Sequence, residues 1–195
     1  MAVKEEVSEE YSHSEQLTVF IEELLRQEGL KVSDLDAIAV SSGPGSYTGL
    51  RIGVSTAKGL CYASDLPLIA VSTLGAMAQA MKNKYPELKL CPMLDARRME
   101  VYCALYSKSQ ASPVVAKIID QDSFKQELEQ GPVLFFGDGS DKCQDVLLHT
   151  NAHFELGVYP SAVNMISLAY DKFQNQSFED VAYFEPFYLK DFVSG

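Results

Sequence analysis

No stretch of the chain approaches about 18 uninterrupted apolar residues, so nothing in it reads as a membrane-spanning helix. No run of lysines and arginines reaches three, and the formal net charge is −11. An unaided nucleic-acid binder needs a basic patch to displace counterions from phosphates, so direct nucleic-acid binding by this chain alone is not expected. The opening residues are acidic and polar, without the basic start or apolar core of a secretory signal, which sets a cytoplasmic expectation. Cys61, Cys91, Cys103 and Cys143 form no C-x-x-C pair, and each sits in an apolar segment. They read as buried free thiols, which behave as small hydrophobes in a reducing compartment. An HExxH metal motif is missing, and no Ser-His-Asp arrangement can be traced.

What is present suits one domain or two small lobes: 195 residues, 47% hydrophobic and 22% charged. Ser12 followed by Glu15 forms a capping box for a first helix. Leu17, Phe20, Ile21, Leu24 and Leu25 give that helix an apolar stripe, and Gly29 supplies its stop. Ala37 to Val40 predicts a buried strand, Leu50 to Ala63 a second helix, Pro67 to Val71 a strand and Thr73 to Lys84 a third helix. Leu90 to Leu94 and Val101 to Tyr106 predict a hairpin around the tight turn Asp95-Ala96-Arg97-Arg98, with Val114 to Ile119 as a third antiparallel strand. Further on come a short helix (Ser123 to Gln130), a strand (Val133 to Phe136), a helix (Asp141 to Leu148) and a last helix (Ser161 to Phe173) capped by Ser161. The aromatic tail, Tyr183 to Leu189, reads as extended. Strands alternating with helices indicate an α/β fold. The hairpin section argues for two lobes, residues 1–75 and 76–195, meeting somewhere within about 70–95.

The segment with the most information runs from Ser41 to Gly53. A strand feeds Gly43-Pro44-Gly45-Ser46-Tyr47-Thr48-Gly49 and then a helix N-terminus, a geometry that aims backbone N–H groups and a positive helix end at one point. Ser46 and Thr48 add hydroxyls. The pattern is neither a Walker loop nor G-x-G-x-x-G. Two readings stand side by side: a phosphate cradle built from Gly43, Gly45, Ser46, Thr48 and Gly49, or a tight structural turn that delivers a small-residue helix.

Taken with Asp36 to Val40, this segment resembles the signature of the TsaB (YeaZ) family. So do His13-Ser14-Glu15 opening the first helix, Ala57-Lys58-Gly59-Leu60 closing the second, and Asp95-Ala96-Arg97 with Glu100-Val101-Tyr102. Gly137-Asp138-Gly139 and Glu185-Pro186-Phe187-Tyr188-Leu189-Lys190 match in order and spacing as well. The resemblance runs from about Tyr11 to Phe192. It implies the two-lobed fold of actin, Hsp70 and the sugar kinases. Relative to that fold the first strands are missing, with Val3 to Val7 as a remnant, and the first lobe is expected to have an incomplete sheet and an open edge.

The family resemblance further implies a non-catalytic paralogue of TsaD. Its role is to bind and support that transferase, with TsaE and TsaC, in forming N6-threonylcarbamoyladenosine at position 37 of tRNA. The implied partners are TsaD, TsaE and a second copy of the chain, with tRNA reached only through the complex and no membrane. No cofactor is implied in this chain, ATP or ADP entering only with the complex. The resemblance places a four-helix interface on the first two helices. Leu17, Phe20, Ile21 and Leu24 would form one side, and the small positions Gly53 and Ala57 the other. The competing reading packs both helices on their own sheet.

Two enzyme readings remain beside this one. A small ATP-dependent kinase of the sugar-kinase-like superfamily would need acidic metal ligands in the absent first turn. A degenerate glycoprotease-like peptidase would need a nucleophile or metal set. His149 and His153 are spaced i, i+4, but no Glu lies between them and Asn151 reads as a helix end, so no metal ligand is assigned. Asp95, Arg97 and Glu100 cluster at the hairpin tip, either as a polar network facing a cleft or as a solvated turn. No catalytic residue is assigned.

Overall fold

The computed structural model describes residues 2–6, 13–108 and 110–189, with the side chains of residues 13–15 left aside. The expected capping box therefore lies outside the described residues at Ser12 and Glu15, and so does Val7. Val3 belongs to no strand. Among the described residues, no helix is long and apolar enough to cross a membrane.

The chain divides into two units. The first comprises Met1–Ser72, Ser161–Tyr188 and Phe192–Gly195; the second comprises Thr73–Pro160 and Leu189–Asp191. The division is discontinuous in sequence: residues 161–188 group with the first unit, whereas the expectation was a single cut near residue 75.

Unit 1 contains α1 (His13–Glu28), β1 (Ile38–Gly43), α2 (Tyr47–Ser64), β2 (Leu68–Ser72) and α5 (Ile166–Gln174). β1 and β2 pair in parallel with Ile38 opposite Leu68, the geometry a crossover helix imposes. α2 is that crossover. Leu50, Val54, Ala57 and Cys61 recur on one helical face and are buried. Ala57, Cys61 and Leu68 form the small core, joined by Ile38, Val40, Val181 and Phe184. Asp65 ends α2 in the left-handed conformation, its N–H donating to the Cys61 carbonyl. α5 sits beside β2, where the Lys172 ammonium donates to the Ala70 carbonyl at 2.7 Å. Only two strands form this sheet among the described residues.

Unit 2 is built on a five-stranded sheet in the order β5-β4-β3-β6-β7. Its strands are β3 (Lys89–Asp95), β4 (Glu100–Cys103), β5 (Val115–Ile118), β6 (Val133–Phe136) and β7 (Ala152–Glu155). β3, β6 and β7 run parallel, while β4 and β5 add an antiparallel meander. Side chains alternate across the sheet, and both faces are covered. One face holds Cys91, Met93, Val101, Val133 and Phe135 under Phe124 and Leu128 of the short α4 (Lys125–Glu129) segment. The other holds Leu90, Leu94, Leu134 and Phe136 under Leu74 and Met77 of α3 (Thr73–Lys82).

Two elements differ from the sequence expectation. The helix predicted over 141–148 is a single 3-10 turn, Asp141–Cys143, followed by further turns. Its bonds run from the Val146 and Leu147 amides to the Cys143 carbonyl. Cys143 and Leu147 still reach the core, so their i, i+4 apolar spacing is real while the regular helix is not. β7 was not foreseen. Four residues, Ala-His-Phe-Glu, carry too little alternation to announce a strand, and pairing with β6 makes it one. All four cysteines are buried and free. Burial pushes the Cys143 thiol up to about 11 and raises Cys91 well above its ordinary value.

Candidate functional site

The glycine-rich loop begins where β1 ends. Gly43 has φ +108°, a conformation that side-chain-bearing residues rarely adopt. A Cβ there would lie 2.8 Å from the carbonyl oxygen of Phe187, so the tail passes against the glycine. The Phe187 amide donates to the Ser42 carbonyl at 2.7 Å. Ser46 is the N-cap of α2, and its hydroxyl accepts from the Gly49 amide at 3.3 Å. Thr48 is exposed in the first turn of the helix, and Gly45 follows the buried Pro44. Tyr188 stacks against Tyr47 with centroids 4.9 Å apart, and the Arg51 guanidinium lies 5.2 Å from the Tyr47 ring. The loop residues therefore come together as anticipated, but they close a helix cap and receive the C-terminal tail.

The expected interface residues divide. Leu17, Phe20, Ile21 and Leu24 are half-buried, and Val19 is 45% exposed. The Lys4 ammonium lies 4.6 Å from the Phe20 ring and pairs with Glu23. Gly53 and Ala57 do not present an outer surface. Gly53 faces the sheet, where a Cβ would lie 3.9 Å from Val40, and Ala57 is 5% exposed within the core. At these two positions α2 turns small residues toward β1 and the core of unit 1, which lets the crossover approach closely. Its outward face carries Ser55, Gly59 and Tyr62 instead. Nothing would meet a Cβ at Gly59, and Tyr62 is 85% exposed.

The polar hairpin belongs to unit 2. Its tip is strained: Arg97 and Arg98 both have positive φ, 68° and 50°. The Asp95 carboxylate accepts from the Arg97 amide at 3.3 Å and from the Lys142 ammonium. Lys142 also donates to the Glu100 carbonyl at 2.8 Å. Asp138 accepts from the Asp95 amide at 3.1 Å. Desolvation in that turn raises the Asp138 carboxyl above its ordinary range, outweighing the amide bond that lowers it. Gly137, φ +105°, lets this turn lie on β3, since a Cβ there would fall 2.2 Å from the Met93 carbonyl oxygen. The Asp95 carboxylate joins these bonds: it takes the Lys142 ammonium and the Arg97 amide, while Glu100 offers Lys142 its backbone carbonyl. Sequence reading missed Lys142 because its role depends on a tertiary approach across 47 positions.

His149 and His153 do not share a helix. His149 lies in a turn, its Nδ1 accepting from the Asn151 amide at 3.1 Å, and His153 lies in β7 opposite Leu134. Their spacing loses the meaning it would have had on a helical face.

Comparison with known proteins decides the family. The family model described as TsaD, tRNA N6-adenosine threonylcarbamoyltransferase, matches residues 6–192. The chain is 28% identical over 190 residues to the tRNA threonylcarbamoyladenosine biosynthesis protein TsaB of Escherichia coli, a match spanning 93% of this chain and 82% of that protein. The chain belongs to the TsaD family, in its TsaB/YeaZ branch. A shorter stretch is 51% identical to the tRNA N6-adenosine threonylcarbamoyltransferase of Bacillus subtilis, covering 30% of this chain and 17% of that one. The solved structure of YeaZ from Pseudomonas aeruginosa superposes with a TM-score of 0.79 at 26% identity, covering 92% of this chain and 85% of that one. Membership in the branch agrees with the α/β make-up of the two units and fits the actin- and sugar-kinase-like fold expected for the chain.

Proposed function

We propose that this chain is a non-catalytic partner subunit that binds and supports a TsaD transferase in forming N6-threonylcarbamoyladenosine at position 37 of tRNA. The observation that carries the reading is the match along 93% of the chain to a TsaB biosynthesis protein. The local chemistry supports it. The Ser46 hydroxyl is committed to a helix cap, and Asp95 is committed to Lys142 and the hairpin amide. In this reading tRNA is met only through the assembled complex, where TsaE also joins and ATP or ADP enters, and the setting is the cytoplasm. The −11 net charge fits a subunit whose positive RNA-facing surface comes from a partner.

The proposed docking surface is the half-buried stripe of α1, Leu17, Phe20, Ile21 and Leu24, flanked by the outward face of α2 at Ser55, Gly59 and Tyr62. The same surface would serve a homodimer when TsaD is absent. Phe20→Glu places a charge that must be desolvated on association, and about 1.4 kcal/mol of such cost is tenfold in affinity. The expected outcome is at least a tenfold loss of TsaD binding by titration, with the monomer still folded by circular dichroism. A folded Phe20→Glu protein that binds TsaD with wild-type affinity would remove this surface from consideration. The kinase alternative is tested separately: tight, magnesium-dependent ATP binding by the isolated chain in calorimetry would favour it over the partner reading.

A further inference from the structure

Unit 1 is closed by the last described residues of the chain, and they are fastened at both ends of α2. The Glu179 amide donates to the Leu68 carbonyl at 2.9 Å, an antiparallel bridge on β2. Val181 and Phe184 then fill the small core over Ala57, Cys61 and Leu68. The Lys58 ammonium donates to two tail carbonyls, Ala182 at 3.2 Å and Phe184 at 2.9 Å. Farther along, the Phe187 amide bonds Ser42, its carbonyl lies against Gly43, and Tyr188 packs on Tyr47. Lys58 and Tyr47 are 11 positions apart on one helix, so the tail spans about 16 Å of α2 and contacts residues three turns apart on it.

We infer that residues 179–188 are a strap that sets the glycine-rich loop. Loop and tail open and close as one cooperative element, and release of the strap uncovers Gly43 and the first turn of α2. Three features point to a strap rather than to incidental packing. The two-stranded sheet that unit 1 shows among the described residues has little independent stability, so a further element must close it. The positive-φ glycine is shaped for the passing tail carbonyl, since any side chain would collide with it. The Lys58 clamp binds backbone carbonyls, so it fixes the path of the tail irrespective of its side chains. Locally stable segments that break together behave as one unit in hydrogen exchange. Coupling between two parts of one element is reciprocal: loosening either must loosen the other.

That reciprocity is the test, read by amide hydrogen exchange on the full chain. Lys58→Met removes two bonds to the tail without touching the loop. It should accelerate exchange about tenfold at 182–188 and by a similar factor at 45–50, while the β3 and β6 amides of unit 2 stay at wild-type rates. Gly43→Ala acts from the other end and should accelerate the Phe184 amide, which bonds the Asp180 carbonyl and is not among the atoms the new methyl would meet. A tail that loosens in Lys58→Met while the loop keeps its rate overturns the strap. So does a loop perturbed in Gly43→Ala with the tail unchanged, and so does a Lys58→Met protein with wild-type rates throughout. If Lys58→Met unfolds unit 1, seen as lost protection at Ile38 and Val40, Tyr188→Ala gives the reading. It removes only a ring contact, and faster exchange confined to the loop and tail together supports the strap, whereas exchange confined to the tail refutes it.

Discussion

The five-stranded unit and the two-stranded unit solve the same problem with unequal means. In unit 2 both sheet faces are covered, and β6 is buried at all four positions, Val133 to Phe136. In unit 1 β1 is largely half-buried, and α1 contributes no fully buried side chain among its described residues. Unit 2 therefore rests on a dense core, whereas unit 1 depends on elements brought from far along the chain: α5, the turn before it and the tail. The lesson is that a βαβ piece too small to enclose a core of its own is completed by non-local closure.

This contrast can be broken or sharpened in order of expected size. The largest effect belongs to the dense core. Phe135 is fully buried with ring centroids 5.2 Å from Phe124 and 5.4 Å from Phe154. Phe135→Ala should cost about 3–5 kcal/mol, measured by denaturant unfolding. A loss below about 1 kcal/mol would mean the core of unit 2 is looser than its burial indicates.

Ala57 gives the next effect and separates core from interface. Because it packs on Cys61 and Leu68, Ala57→Leu should overpack unit 1 and cost about 1–3 kcal/mol. The loss appears in the free monomer. If Ala57→Leu leaves the monomer's stability unchanged but abolishes partner binding, Ala57 acts at a partner surface rather than in the core.

The smallest effect concerns charge in unit 2. Glu155 accepts from Lys84 at 2.6 Å and from the Tyr85 hydroxyl at 2.5 Å. The Lys84 bond, followed by the Tyr85 bond, holds the Glu155 carboxyl below its ordinary value of 4.5. A carboxyl depressed in the folded state contributes stability that is present above that ordinary value and is lost as pH falls through the folded one. Glu155→Gln should therefore flatten part of the decline in thermal midpoint below about pH 4.5, with little change at pH 7 because the pair is solvent-screened. An unaltered acid limb in the variant would show that the pair contributes nothing measurable.

The sequence by itself determined a good deal here. Continuous apolar runs fixed β2, β3 and β6 because strands covered on both faces need no alternation. The strand-loop-helix order around Gly43 to Gly49 announced α2, although the helix begins at Tyr47 rather than at the expected Leu50, and the family motifs spread from Tyr11 to Phe192 anticipated the branch. These signals are local: each depends on neighbours within a turn or two. Only the tertiary structure decided the rest. It turned Ala57 toward β1, although small residues on a helix look alike whichever way they face. It reduced the predicted helix at 141–148 to tight turns, because the Gly139 amide is tied to Met93 on β3 and the following residues must reach the core from there. It made β7 a strand by offering β6 as a partner. It brought Lys142 to Asp95, Lys58 to the tail carbonyls and Phe187 to Gly43, contacts between residues 47, more than 120 and 144 positions apart. No pattern along the chain announces such pairs, since their energy exists only once the unit that holds them has packed.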